Sequence, residues 1–193
     1  MFVKICGLTS EAHVRTAAEA GADAIGFVFA ESVRRVDPAH AARISSDVPG
    51  NVKRVAVMLH PSNDEWQEVL RQLKPDVLQT DAEDFADLDV PLDVTRWPVC
   101  REGDRVTVPL FVYEGTKSGQ GETVDWSVAA EIARNGNMIL AGGLGVENVA
   151  EAIATVRPYG VDVSSGVESA PGQKDPEKIR EFIKAAKAAG NNL

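Results

Sequence analysis

Cys6 is the residue in this 193-residue chain whose type and position first suggest chemistry. It follows the apolar run Phe2 to Ile5 and precedes a helix start at Thr9 to Glu11. A thiolate is both a nucleophile and a base, and a position near a helix N-terminus favours the anionic form of the thiol. Most free cysteines, however, are buried residues that only pack. From Cys6 alone, packing and chemistry both remain open.

Two glycine-containing turns form a second candidate site. The segments Ala141 to Gly145 and Val163 to Val167 each follow a predicted strand and lead into a predicted helix. Glycines let backbone N–H groups approach an anion, and a helix N-terminus adds partial positive charge. The alternative is that these glycines merely close tight turns. The phosphate interpretation predicts contacts from Gly142, Gly143, Ser164, Ser165 and Gly166.

Short apolar runs alternate along the chain with segments of helical periodicity. Seven runs are clear strand candidates, at residues 2–6, 24–29, 52–59, 77–79, 108–112, 138–141 and 160–163. An eighth strand near Leu92 to Val94 is weak, because Pro91, Pro98 and several acidic residues interrupt the region 81–106. Strands that are apolar on both faces, separated by amphipathic helices, predict a parallel sheet covered by helices.

Eight strand-helix units predict an α/β fold in which residues 1–193 form a single (β/α)8 barrel domain. The region around the fourth and fifth units would then be shortened or degenerate. A doubly wound open sheet remains the alternative. In a barrel, chemistry lies at the carboxyl ends of the strands, and phosphate frequently binds after strands 7 and 8.

Composition excludes several classes of function. The net charge of -9 argues against a nucleic-acid-binding surface. Cys6 and Cys100 are too far apart, and too remote from any histidine cluster, to indicate a disulfide framework or a zinc site. The chain carries no recognisable signal peptide and no apolar stretch approaching 18 residues, so we expect neither export nor a membrane span. A cytoplasmic location and a monomeric state are the corresponding expectations.

An ordered set of motifs resembles one family. Residues Val3 to Leu8 resemble the opening of the phosphoribosylanthranilate isomerases, which are (β/α)8 barrels of tryptophan biosynthesis. Further similar segments occur in the same order at residues 21–36, 124–126, 140–149 and 161–175. Each motif is moderately specific by itself. Together they cover the chain from residue 3 to residue 175.

The resemblance implies an Amadori rearrangement that needs no metal or organic cofactor. The substrate would be a phosphosugar, N-(5-phosphoribosyl)anthranilate, and the product 1-(2-carboxyphenylamino)-1-deoxyribulose 5-phosphate. Carried over by motif, Cys6 is the general base and Asp125 the general acid. Partial burial beside Trp126 would raise the pKa of Asp125. Asp125 also suits the N-cap of the helix that follows it, and the two roles are compatible.

Other site residues follow from the same resemblance. Arg34 would bind the anthranilate carboxylate through its planar fork, with the adjacent Arg35 as the alternative. Asp162 would contact the ribose hydroxyls or the amine, or would only organise its loop. Asp81 departs from the family, which usually has histidine there, and would bring negative charge toward the site unless it points outward. We expect Lys174 to be a solvated lysine.

Two further functions remain open. The first is a related barrel isomerase that acts on the histidine-pathway aminoaldose, or on both substrates; those enzymes typically have Asp where Cys6 stands. The second is a barrel that binds a phosphosugar without catalysis. Retention of both Cys6 and Asp125 favours catalysis, because a pure binding protein needs neither.

Overall fold

A closed barrel of eight parallel strands forms the centre of the molecule. The computed structural model describes residues 1–101, 103–104, 106, 108–115 and 124–191. The barrel strands are β1 (Phe2–Ile5), β2 (Ala24–Val28), β3 (Lys53–Val57), β4 (Val77–Asp81), β5 (Thr95–Cys100), β6 (Leu110–Tyr113), β7 (Asn137–Leu140) and β8 (Gly160–Val163). The predicted (β/α)8 barrel is therefore confirmed, and the open doubly wound sheet is excluded.

Helices cover the outside of the barrel. Within the described part of the chain they are α1 (Glu11–Glu19), α2 (Pro38–Ile44), α3 (Asn63–Leu73), α4 (Trp126–Ala133), α5 (Val149–Val156) and α6 (Pro176–Gly190), with a 3-10 helix at Ala82–Ala86. A short antiparallel pair, β9 (Glu168–Ala170) and β10 (Gln173–Lys174), follows β8, so the prediction that the loop after β8 leads directly into a helix is wrong. Side-chain oxygens at five helix starts accept backbone N–H bonds and so cap those helices, at Ser10, Asp37, Ser62, Asp125 and Asp175. None of these helices is long and apolar enough to span a membrane.

The fifth strand lies further along the chain than the sequence predicts. The pattern placed a weak strand near Leu92 to Val94, whereas β5 is Thr95–Cys100 and contains Pro98. Proline disfavours a central strand because it has no N–H to donate. β5 pairs with β4 from Thr95 to Val99 but with β6 only from Val99 onward. Pro98 therefore lies where β5 has one paired neighbour, which is why the strand tolerates it.

Strand alternation decides which side chains enter the barrel. Apolar residues from successive strands fill its interior, including Val55, Val77, Trp97, Val112 and Ile139. The residues between them pack outward against the helices. Because side chains alternate along a strand, Lys4 and Cys6 both point inward. Asp162 on β8 is the register partner of Lys4 on β1, so these polar side chains meet inside the barrel.

Candidate active site

A pocket lies at the carboxyl end of the barrel, where the sequence analysis expected chemistry. Residues at or just after all eight strands contribute to its wall. The lining includes seven of the nine predicted site residues: Cys6, Arg34, Gly142, Gly143, Asp162, Ser164 and Ser165. Gly166 and Asp125 are not among the lining residues. Arg35 is also absent from the wall, so of the two adjacent arginines Arg34 is the one that faces the pocket.

The Cys6 side chain is almost completely enclosed, with 7% of its surface exposed. Burial raises the pKa of its thiol above the ordinary value, and the nearby Lys4 and Lys174 ammonium groups only partly oppose this effect. The expectation that Cys6 favours the thiolate form at this position is therefore wrong. Desolvation of the charged form outweighs the positive charges around it.

Lys4 lies directly below Cys6 inside the barrel and has no exposed surface. Its Nζ donates to Asp162 Oδ2 at 2.7 Å. Burial alone would lower the pKa of Lys4, but Asp162 and Cys6 raise it above its ordinary value. Lys4 was not among the predicted site residues. The alternation that directs Cys6 into the barrel was the available signal, because it directs Lys4 to the same face.

The second carboxylate oxygen of Asp162 has a different environment. Asp162 Oδ1 is buried and has no hydrogen-bond partner among the described residues. Buried oxygens without a donor are uncommon in native proteins, so each one needs an explanation. Since Asp162 lines the pocket, this oxygen is available to accept a hydrogen bond from a ligand hydroxyl or amine.

Arg34 forms a two-point ion pair that its motif does not predict. Its Nε and Nη2 donate to Glu168 Oε1 and Oε2 at 2.7 and 2.9 Å. Burial alone would raise the pKa of Glu168, but hydrogen bonds from Arg34 and Lys174 lower it to about 2. The Arg34 guanidinium is thus held rigidly at the pocket wall by two of its three nitrogens.

Lys174 is buried, with 3% of its surface exposed, so the expectation of a solvated lysine is wrong. Its Nζ donates to Glu168 Oε1 at 2.7 Å and to the Ser164 carbonyl oxygen at 2.9 Å. The antiparallel pair β9 and β10 places this lysine under the loop that follows β8. Lys174 therefore connects the predicted phosphate loop to the Arg34 and Glu168 ion pair.

Replacing Glu168 with glutamine should destabilise the protein by on the order of 3 kcal/mol at pH 7, because the buried Lys174 and the partly buried Arg34 lose their shared counter-charge. The folded pKa of Glu168 is about 2, against an ordinary value of 4.5. The stability that ionised Glu168 contributes to the fold is therefore complete above pH 4.5 and is lost as the pH falls toward 2. Urea unfolding of both proteins from pH 7 to pH 3 tests this. A stability difference that does not shrink with acidity would contradict it.

The two predicted phosphate loops pack directly against each other. Gly142 and Gly143 adopt positive φ angles of 87° and 61°, a region that strongly favours glycine. Gly145 and Gly166 form an isolated bridge between the loops. A Cβ atom on Gly166 would lie 1.9 Å from the Leu144 carbonyl oxygen. Gly166 thus allows the two loops to approach each other closely. Because it lies at this loop-to-loop contact, it is not among the residues that line the pocket.

Replacing Gly166 with alanine should therefore cost about 1–3 kcal/mol of stability, because backbone must move to admit the methyl group. It should also weaken the binding of inorganic phosphate. Gly50 is the matched control, since a Cβ there meets nothing within 4 Å, and Gly50→Ala should stay within about 0.5 kcal/mol. Denaturant unfolding, with and without phosphate, measures both effects. Equal stability of the two variants would refute the close-packing role.

Asp125 is exposed and caps helix α4. Its Oδ1 accepts the backbone N–H of Ser127 at 2.8 Å and that of Val128 at 3.4 Å. The side-chain and backbone hydrogen bonds from Ser127 lower the pKa of Asp125. The capping role is confirmed, whereas the expectation that burial beside Trp126 raises this pKa is wrong. Residues 116–123, which precede Asp125, lie outside the described part of the chain.

Asp81 lines the pocket and forms an ion pair. Arg101 Nη1 donates to Asp81 Oδ1 at 2.8 Å, and Arg101 Nη2 donates to Glu114 at 3.2 Å. The expected negative charge thus does reach the pocket, but the Arg101 guanidinium accompanies it.

His60, Asp81 and Glu83 form a group whose donor atoms lie within 4.8 Å of one another, close enough to hold a metal ion. Oxygens of Asp81 and ring nitrogens of His60 already take part in ion pairs.

Comparisons with known proteins identify one family. The family model described as N-(5'phosphoribosyl)anthranilate (PRA) isomerase matches residues 3–185. A protein of Listeria innocua named N-(5'-phosphoribosyl)anthranilate isomerase is 40% identical, over 98% of this chain and 100% of its own length. A protein of the same name from Bordetella avium is 39% identical, over 99% of this chain and 97% of its own length.

Solved structures agree with the sequence relatives. TrpF from Jonesia denitrificans superimposes with a TM-score of 0.83 and 34% identity, covering 98% of both chains. A phosphoribosyl anthranilate isomerase in complex with reduced 1-(o-carboxyphenylamino)-1-deoxyribulose 5-phosphate gives a TM-score of 0.79 and 32% identity. That match covers 97% of this chain and 99% of the other.

Proposed function

Since the chain belongs to the N-(5'-phosphoribosyl)anthranilate isomerase family and is therefore an isomerase of tryptophan biosynthesis, we propose that it rearranges N-(5-phosphoribosyl)anthranilate by means of Cys6 and Asp125. The observation that carries this proposal is the composition of one pocket wall. It combines a thiol, an arginine and the two glycine-containing loops at the carboxyl end of the barrel. These are the groups that a base-catalysed reaction of a carboxylated phosphosugar requires.

The reaction is a sequence of proton transfers. An acid protonates the furanose ring oxygen, the bond from C1 to that oxygen breaks, and the anthranilate nitrogen forms a Schiff base with C1. A base then removes the proton from C2, which gives an enolamine that tautomerises to the ketose. We assign the first transfer to Asp125 and the second to Cys6. The thiol acts as a base throughout and forms no bond to carbon.

Anion recognition orients the substrate between the two ends of the pocket. The backbone of Gly142 and Gly143, with Ser164 and Ser165, would hold the phosphate. Arg34 would hold the carboxylate through the guanidinium nitrogen that Glu168 leaves outside the ion pair. The unpartnered Asp162 Oδ1 would accept a hydrogen bond from a sugar hydroxyl or from the amine.

Phosphoribosylanthranilate is fluorescent, so its consumption by the purified protein tests the proposal directly. We expect rapid loss of fluorescence with formation of the ketose. Inactivity of the folded protein would overturn the isomerase assignment and leave the phosphosugar-binding alternative. Parallel assays with the histidine-pathway aminoaldose separate a single-substrate enzyme from a dual-substrate one. We also expect a monomer, which light scattering in solution will test.

A further inference from the structure

We propose that Lys4 is a positioning residue for this reaction, and that its buried ammonium, anchored by Asp162, stabilises the thiolate form of Cys6. The inference rests on the proposed function, in which Cys6 must lose its proton before it can act as a base. It adds a group below the pocket floor that would not touch the substrate. Lys4 would act only through Cys6.

A glycine on the adjacent strand creates the space in which the two side chains meet. A Cβ atom on Gly26 would lie 3.0 Å from Cys6 Sγ and 3.2 Å from Lys4 Cε. Both side chains therefore converge on the volume that any larger residue at position 26 would occupy. Gly26 does not have a positive φ, so the backbone does not require glycine at this position. Glycine is needed there because the side chains of Cys6 and Lys4 occupy the adjacent space.

The Lys4 side chain is held in its protonated, positively charged form. It has no exposed surface, and its 2.7 Å bond to Asp162 Oδ2 keeps a counter-charge in contact with it. Asp162 and Cys6 raise the pKa of Lys4 above its usual value despite complete burial. Lys4 therefore remains a cation across the pH range in which a thiol ionises.

The other charges around Cys6 come from three further elements. Asp162 on β8 raises the pKa of the thiol, whereas Lys174 on β10 lowers it. Arg34, in the loop after β2, also interacts electrostatically with Cys6. Of the neighbouring charges, Lys4 acts most strongly on the Cys6 pKa, and it acts by lowering it. Removal of Lys4 and removal of the Asp162 charge should consequently shift the ionisation of Cys6 in opposite directions.

The test measures ionisation of Cys6 without substrate. In a Cys100→Ala background Cys6 is the only thiol, so the rate of iodoacetamide alkylation against pH gives its pKa. Lys4→Met should raise this pKa by about one unit, which slows alkylation at pH 8 by about tenfold. Asp162→Asn should lower the pKa and accelerate alkylation. Lys53→Met is the matched control, because Lys53 is exposed on β3, and it should leave the rate unchanged.

A structural disturbance alone would not shift the thiol pKa in opposite directions for the two variants. Shifts of the same sign, or no shift in Lys4→Met, would overturn the role of Lys4. If Lys4→Met fails to fold because Asp162 is left unpaired, the double variant Lys4→Met/Asp162→Asn replaces it. Its Cys6 pKa must exceed that of Asp162→Asn. An inactive wild-type protein would instead contradict the proposed function, while the titration would still report on Lys4.

Discussion

The Cys6→Ser variant should lower kcat by about 10²- to 10⁴-fold, the range expected when a positioned general base is lost. Serine keeps the shape of the side chain, so the pocket should stay intact. A hydroxyl, however, is a far weaker acid than a thiol and supplies almost no anion near neutral pH. The consumption of phosphoribosylanthranilate, followed by fluorescence under saturating conditions, measures the loss.

The second cysteine supplies the control for this experiment. Cys100 lies on β5 and packs in the cluster between barrel and helices, away from the interior. Cys100→Ala should therefore retain the wild-type kcat. Full activity of Cys6→Ser would remove Cys6 from the base role. A similar loss in both variants would mean that the defect is one of folding.

The Asp125→Asn variant should also lower kcat by about 10²- to 10⁴-fold, because an amide cannot donate the proton that opens the ring. Asparagine caps helices as well as aspartate does. The variant should therefore keep helix α4 and the wild-type melting temperature. Asp125→Ala removes the proton donor and the cap together, so it should lose activity and also melt at a lower temperature. Steady-state kinetics and thermal unfolding of all three proteins separate the two roles.

The pH profile gives a second check on both residues. Hydrogen bonds from Ser127 lower the pKa of Asp125, while burial raises that of Cys6. The reactive enzyme has Asp125 protonated and Cys6 ionised, and it is a minor species because most molecules have the opposite protonation states. Between the two pKa values, a rise in pH lowers the protonated fraction of Asp125 as much as it raises the ionised fraction of Cys6, so the reactive fraction stays constant. We expect kcat/KM to be flat from about pH 5 to 8 and to fall outside that range. A steep rise or fall within it would contradict this pair of roles. Retained activity in Asp125→Asn would exclude Asp125 as the acid.

Local sequence was sufficient for most elements of the barrel. Apolar runs, caps such as Ser62 and the order of strands and helices depend on neighbouring residues, so they can be predicted without tertiary contacts. β5 was the exception, because Pro98 disfavours a strand locally and is tolerated only through the arrangement of β4 and β6. No local rule contains that information.

In the candidate site, local sequence predicted which residues line the pocket but not which residues they contact. The types and strand-end positions of Cys6, Arg34 and the two glycine loops predicted the pocket that the barrel forms. The partners of these residues could not be predicted. Glu168 lies 134 positions from Arg34, and Asp162 lies 158 positions from Lys4. Only closure of the barrel brings such pairs into contact.

The sequence by itself determined the family, the barrel and the thiol at the end of β1, because these follow from ordered motifs and local periodicity. Tertiary structure decided the state of that thiol and of Asp125. Burial raises the pKa of Cys6, and hydrogen bonds at the start of α4 lower that of Asp125. The physical reason is that a pKa depends on desolvation and on charges within a few ångströms. For Cys6 the strongest of those charges, Lys4, is near in sequence, but Asp162 and Lys174 are distant and become its neighbours only in the folded chain.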